Sequence, residues 1–306
     1  MEPKAPQFSA YDFLGYLLPG LVLIAMMDCS WIYHSKKVVV TFEFIVERYS
    51  ALTWQNTIPL ALLGYFLGHL VSFVSSLVVE EHARLMHGRP ESFIVRENKP
   101  AYFNCGKWGR GHRVVICAVF VMRAITMLFM LPLTWIELLF TRLVPISRRY
   151  SFPITRLLKR CLIAAEDRLL EDMGVRTATG KPPGRHADEV HWGLGFERLA
   201  LHYALETAPA HLFTLRNYVV LYGFLRAMTF ILLLTSWMIA GHMLVQAMIW
   251  QSLLFLLLAG VAIAPCYGAF LKFWTRYHKE ALMAFLAAMA KRTAGVANAA
   301  TTTEGN

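Results

Sequence analysis

Charged side chains are scarce in this chain of 306 residues: Asp, Glu, Lys and Arg together make up 16%. Soluble domains carry about 25% of these residues. Apolar residues instead make up 57%, and the mean hydropathy is +0.45. This composition argues against an ordinary cytosolic enzyme, a secreted disulfide scaffold and a disordered tail. We therefore predict a membrane protein.

Cysteine is also infrequent. The five cysteines form no Cys-x-x-Cys pair, which argues against a structural zinc site and a disulfide framework. Cys29 follows an apolar run, but the Met26-Met27-Asp28 before it lacks the small residues of a lipoprotein signal. The run is followed by no Ala-x-Ala cleavage site either, so we expect the first apolar segment to be a retained anchor.

Motifs with known chemistry are missing from the sequence. It contains no GxxxxGKS/T or GxGxxG phosphate-binding loop, no His-Glu-x-x-His pair and no Gly-x-Ser-x-Gly elbow. His186 and His191 are not spaced to place two metal ligands on one helical face. We therefore predict no catalytic residue, no cofactor and no metal site, and we rank a non-enzymatic function above an enzymatic one.

Long apolar runs are what the sequence does contain. We predict spans at about 13–33 and 57–79 and a transmembrane hairpin within 217–270. The apolar segment 114–140 is ambiguous, because Arg123 and Pro132 interrupt it. We predict an all-α polytopic helix bundle with four transmembrane helices plus a re-entrant or interfacial segment; the alternative is five spans.

The same pattern divides the chain into four regions. Residues 1–146 form an N-terminal membrane region, and 217–270 form the hairpin. Between them, the polar segment 147–216 is predicted to be a small helical cytosolic insert, with an amphipathic helix at Pro153–Met173. After the hairpin, 271–306 is predicted to be a cytosolic helical extension that ends in a disordered tail.

The net charge of +10 indicates basic loops at an anionic membrane surface. The link 241–247 has no Lys or Arg, whereas 141–216 has twelve. The positive-inside rule therefore places the insert and the C-terminus in the cytoplasm. A re-entrant 114–140 segment would put the N-terminus inside as well, and a spanning segment would put it outside. We prefer the first arrangement, since it leaves fewer basic residues outside.

Polar residues recur along the second predicted span. Tyr65, His69, Ser72, Ser76 and Glu80 are spaced three or four residues apart and share one helical face. One interpretation is the lining of a water-filled path with His69 as a proton-responsive gate. The other is a packed helix interface in which His69 bonds to a neighbouring helix.

The fourth apolar stretch carries a second polar stripe that includes Tyr222 and Arg226. An arginine inside a membrane helix costs about 2.5–3.5 kcal/mol on insertion scales, so it needs a partner. Asp28, Glu80 and Glu137 are the candidate partners.

Small residues indicate close helix packing at two places. Gly64 and Gly68 form a GxxxG pattern in the second span. Gly260, Ala264 and Gly268 recur every four residues in the last span and favour tight packing or self-association.

These features support three functional hypotheses, which we rank. The first is a non-enzymatic, signal- or partner-gated membrane effector or channel-like helical bundle. The second is a membrane-anchored scaffold or assembly partner of a larger complex, suggested by the helix Pro153–Met173 and the Ala-rich face of Ala281–Ala290. The third is a membrane enzyme acting on lipid or peptide.

The partners follow from the first hypothesis. We expect the lipid bilayer as the surroundings, a homo-oligomer, and a cytosolic protein or small-molecule signal that binds at 147–216. We expect no specific nucleic acid. The predicted location is a bacterial inner membrane, with the C-terminus in the cytoplasm.

Overall fold

The computed structural model describes residues 12–36, 41–88, 113–143, 160–162, 164–165, 168–169, 194–207 and 211–303. These ranges are almost entirely helical and contain no strand. Four helical stretches in them are long and apolar enough to cross a membrane: Phe13–Ile32, Trp54–His87, Leu212–Val245 and Ile249–Arg292. The predicted all-α fold is confirmed, and the protein is an integral membrane protein.

The first two spans are joined by a short helix. Helix α1 (Leu18–Lys36) follows a π-helical turn at Phe13–Leu17, and α2 (Phe42–Ser50) comes next. Thr41 caps α2, because its hydroxyl accepts a hydrogen bond from the Phe44 N–H at 3.3 Å. Helix α3 (Trp54–Ser75) continues through a second π-helical turn, Ser76–Glu80, into α4 (Glu81–His87).

The ambiguous apolar segment is two helices with a sharp bend between them. Helices α5 (Arg113–Phe129) and α6 (Leu131–Leu143) are bent by 72° at Met130. Pro132 explains the break, because proline has no N–H to donate and its ring clashes with the preceding turn. At the break the Leu133 N–H donates to the Met130 carbonyl, and the indole N–H of Trp237 donates to the Phe129 carbonyl at 2.8 Å. This geometry fits both a broken span and a re-entrant segment, so both predicted arrangements remain open.

The last three helices are α7 (Leu194–Thr207), α8 (Leu212–Val245) and α9 (Ile249–Thr303). Helix α8 runs through Gly241, so the connection to α9 is 246–248, shorter than the predicted link 241–247. Ala247 turns the chain there with a φ of 60°. The buried hydroxyl of Ser252 on α9 donates to the Ala240 carbonyl on α8 at 3.0 Å and ties the two helices together beside the turn.

Helix α9 extends further than the sequence analysis expected. It continues past Gly295 to Thr303, so part of the predicted disordered tail is helical. The alanines after Gly295 account for this extension, since alanine has the highest helix propensity.

The chain divides into two compact units. Unit 1 comprises Met1–His87, Pro100–Ser147 and Val219–Phe273, and unit 2 comprises Gly88–Lys99, Arg148–Tyr218 and Trp274–Asn306. Unit 2 has an apolar core in which Leu162, Ala200, Leu215 and Phe285 are buried. The four-region division made from the sequence stays a prediction, and most of the predicted helix Pro153–Met173 lies outside the described residues.

Candidate functional site

An ion pair joins two membrane helices in unit 1. Arg226 on α8 donates through Nη1 to Oε2 of Glu80, the last residue of the second π-helical turn. Arg226 Nη2 also lies 3.3 Å from the Ser72 carbonyl oxygen and 3.5 Å from Ser72 Oγ. The structure thus brings together three of the predicted site residues and selects Glu80 as the partner of Arg226.

The side chain of Arg226 is only 11% exposed, whereas that of Glu80 is 34% exposed. Among the described residues, Arg226 Nε is buried and has no hydrogen-bond acceptor. A buried donor of this kind costs about 1–3 kcal/mol. The contact therefore holds α8 against the end of α3 while one donor of the guanidinium stays unsatisfied.

Helix geometry accounts for the position of Glu80. A π-helical turn widens the backbone ring and changes the angle at which the following side chains leave the helix, and such turns are frequent at functional sites. Ser76, at the start of this turn, donates back to the Phe73 carbonyl at 2.7 Å. The regular face predicted from Ser72 to Glu80 is therefore altered at its end.

His69 lies on the outside of the described bundle. Its ring stacks on Tyr16 with centroids 3.8 Å apart, and Tyr65 meets it edge-on at 4.6 Å. The residue is nevertheless exposed. This placement favours a packed edge of the interface between the first two spans over the lining of an internal path.

Glycine allows the first two spans to come into backbone contact. A Cβ atom added at Gly68 would overlap the Tyr16 carbonyl, and one added at Gly20 would overlap the Gly64 carbonyl. A Cβ at Gly64 would meet the Leu21 side chain. A larger residue at Gly68 would therefore force the helices apart, whereas one at Gly64 would require the Leu21 side chain to move.

The small residues of α9 differ among themselves. Gly260 is buried against the Pro132 carbonyl at the start of α6, where a Cβ atom would overlap it. Ala264 and Gly268 are half-buried.

Tyr222 is half-buried on α8, one turn before Arg226.

A second polar cluster was not predicted from the sequence. His87 Nε2 on α4 lies 2.9 Å from Glu137 Oε1 on α6, and the fully buried His82 has its Nε2 3.9 Å from Glu137 Oε2. The Tyr267 ring of α9 lies 6.5 Å from the His82 ring and 6.4 Å from the His87 ring. Two imidazoles thus lie beside one carboxylate, with His87 Nε2 at hydrogen-bond distance from it and His82 Nε2 farther away.

The third candidate partner of Arg226 is engaged elsewhere. Asp28 on α1 accepts two hydrogen bonds from Arg48 on α2, from Nε at 2.6 Å and from Nη2 at 3.1 Å. The Asp28 hydrogen bond raises the pKa of the Arg48 guanidinium. Each of the three acidic residues therefore has its own basic partner: Glu80 pairs with Arg226, Glu137 with His87, and Asp28 with Arg48.

The described residues contain no group of three His, Cys, Asp or Glu side chains placed to hold a metal ion. Comparison with protein-family models, curated proteins and solved structures found no match to this chain.

Proposed function

We propose that the protein is a non-enzymatic membrane effector, a channel-like helical bundle whose helix packing is set by a signal or a partner. The observation that supports this proposal most is the Arg226–Glu80 ion pair between two helices that are long enough to cross a membrane. A charged pair inside a membrane helix bundle is costly, and such pairs commonly mark pathways or switches.

Two further observations agree with a bundle of more than one packing state. The buried Arg226 Nε has no acceptor in this packing, so this packing carries the cost of one unsatisfied donor. The π-helical turn at Ser76–Glu80 provides an irregular place on the helix where such a shift is absorbed. A signal that binds one packing state more tightly would then change the populations.

The scaffold hypothesis has less support. One of its two motives was the Ala-rich face of Ala281–Ala290, but Ala281, Ala284 and Ala288 are buried inside unit 2. Most of its other motive, the helix Pro153–Met173, lies outside the described residues. Capture of a cytosolic partner at 147–216 and self-association of the bundle stay part of the proposal. The bacterial inner membrane and a cytoplasmic C-terminus are proposed on the distribution of Lys and Arg.

Ion leak from liposomes tests the proposal. The variants Arg226→Gln and Glu80→Gln each remove one charge of the pair, and we expect each to change the leak rate several-fold relative to the wild type. Arg84→Gln is the matched control, because Arg84 pairs with Glu81 within a single helix and its side chain is 40% exposed, against 11% for Arg226. It should leak like the wild type.

Reversing both charges tests whether the leak depends on the ion pair itself or on each charge separately. The double variant Arg226→Glu with Glu80→Arg should return the leak rate toward the wild-type value. Helical content by circular dichroism shows that each variant is folded. Wild-type leak in both single variants, with folding intact, would contradict the proposal.

A further inference from the structure

A cavity of about 770 Å³ lies in unit 1 between α1, α3 and the C-terminal end of α8. This volume falls in the range of about 300–1,000 Å³ that small-molecule sites occupy. The α3 residues that line it, Leu63 and Leu67, precede Glu80 by thirteen residues or more, roughly 20 Å of helix. The cavity is therefore separate from the Arg226–Glu80 ion pair.

Most of the cavity wall is apolar and adaptable. Four methionines line it: Met27, Met238, Met243 and Met248. Methionine is flexible and polarizable, and methionine-rich walls accept apolar groups of differing shape. The wall therefore favours a ligand with a bulky apolar body and places little constraint on its outline.

Asp28 supplies a carboxylate to the lining, and the described lining residues include no Lys or Arg. The other titratable side chain of the lining is His242, whose Nε2 lies 2.9 Å from Gln246 Nε2. Arg48 holds this carboxylate but does not line the cavity, and half of its side chain is exposed. The Trp31 ring also lines the cavity and is 70% exposed, so it offers a π face to a cation.

We propose that this cavity binds a lipophilic cation. The apolar body of the ligand would contact the methionine-rich wall, and its positive charge would lie at the Asp28 carboxylate and over the Trp31 ring. Because Arg48 already occupies the same carboxylate, the ligand competes with Arg48. Removal of Asp28 and removal of Arg48 should therefore affect binding in opposite directions.

The experiment measures binding of tetraphenylphosphonium to the full-length protein in nanodiscs of a zwitterionic lipid, with empty nanodiscs subtracted. We expect Asp28→Asn to weaken binding about tenfold or more, and Arg48→Gln to strengthen it several-fold. Glu43→Gln is the matched control, since Glu43 is an exposed acid on the same helix as Arg48 and does not line the cavity. It should bind like the wild type.

Tetraphenylborate, which has the same shape and the opposite charge, completes the test. Weak tetraphenylborate binding that Asp28→Asn improves supports a cation site. Equal binding of both ions to the wild type would overturn the proposal, because it indicates an apolar cavity without charge preference. Weaker tetraphenylphosphonium binding in both Asp28→Asn and Arg48→Gln would also overturn it. Since binding is measured directly, the result is independent of ion leak and of the proposed function.

Discussion

In unit 1 the interior contains polar side chains, whereas the apolar core of unit 2 contains none among its described residues. The buried polar residues of the described chain all belong to unit 1: Ser75, His82, Thr126, Thr134, Thr229, Ser236 and Ser252. Of its exposed large apolar side chains, only Leu212, Phe213 and Met283 belong to unit 2. Unit 1 thus has the distribution expected of helices surrounded by lipid, and unit 2 that of a domain surrounded by water.

This difference shows what holds each unit together. In lipid, a leucine gains little by moving from the bilayer to a helix interface, so association depends on close packing and polar contacts. Unit 1 provides both, in the glycine contacts of its first two spans and in the pairs of Arg226 with Glu80 and His87 with Glu137. Unit 2 instead buries alanine, leucine and phenylalanine, which the hydrophobic effect stabilises in water.

The largest effect is expected from a substitution in the apolar core of unit 2. Phe285 is fully buried there, and Phe285→Ala should cost about 3–5 kcal/mol through lost burial and a cavity. Hydrogen exchange measured by mass spectrometry should show a loss of protection along 281–289. The matched variant in unit 1 is Phe66→Ala, since Phe66 is 67% exposed. If Phe66→Ala were as damaging, the proposed difference between the units would be wrong.

A smaller effect is expected at the glycine contact of unit 1. Gly68→Ala forces a Cβ atom into the Tyr16 carbonyl and should destabilise the first two spans by about 1–3 kcal/mol. Thermal unfolding in detergent measures the change. Gly223→Ala is the control, because no atom lies within 4 Å of its Cβ position. It should be neutral or slightly stabilising, since alanine favours the helix. Equal losses in both variants would show that close packing is not the cause.

The smallest effect concerns the edge of unit 1 at α2. Burial raises the pKa of the Tyr49 phenol, and the Asp28 charge adds to the shift. Because the folded pKa exceeds the unfolded value of about 10, the stability that neutral Tyr49 contributes is complete below pH 10. It is lost as the pH rises through the raised pKa.

Tyr49→Phe should therefore remove part of the alkaline loss of stability, measured as the change in melting temperature between pH 9 and pH 11. Asp28→Asn should lower the tyrosinate titration midpoint, because it removes the Asp28 charge and weakens the hydrogen bond that the Tyr49 hydroxyl donates to this carboxylate. A wild-type midpoint near 10 for Tyr49 would contradict this description of the α2 contact.

The sequence predicted the helical class and the main apolar helices, because a helix that crosses a membrane needs an apolar run of about 20 residues. The length of such a run is visible in the sequence without knowledge of the neighbouring helices. Pro132 likewise marked the interruption of 114–140. The sequence also predicted that Arg226 needs a partner and that Gly64 and Gly68 belong to a packing face. It could not select Glu80 over Asp28 and Glu137, because a helical face does not specify the neighbouring helix.

The cluster of His82, His87 and Glu137 was missed for a geometric reason. His82 and His87 are five residues apart, which is not a spacing that places two side chains on one regular helical face. Their common partner lies fifty or more residues away on α6, beyond the bend at Met130. Neither the irregular turn before α4 nor that bend gives a periodic signal that would connect the three residues.

The most direct test measures whether lipid or water surrounds the exposed residues of each unit. The five cysteines are replaced by serine, and single spin labels are placed at Phe66→Cys in unit 1 and Met283→Cys in unit 2 of the protein in liposomes. Collision rates with oxygen, which is enriched in lipid, and with a water-soluble nickel chelate are then compared. We predict a high oxygen rate at 66 and a high nickel rate at 283. A high nickel rate at 66, or similar rates at the two positions, would contradict the account.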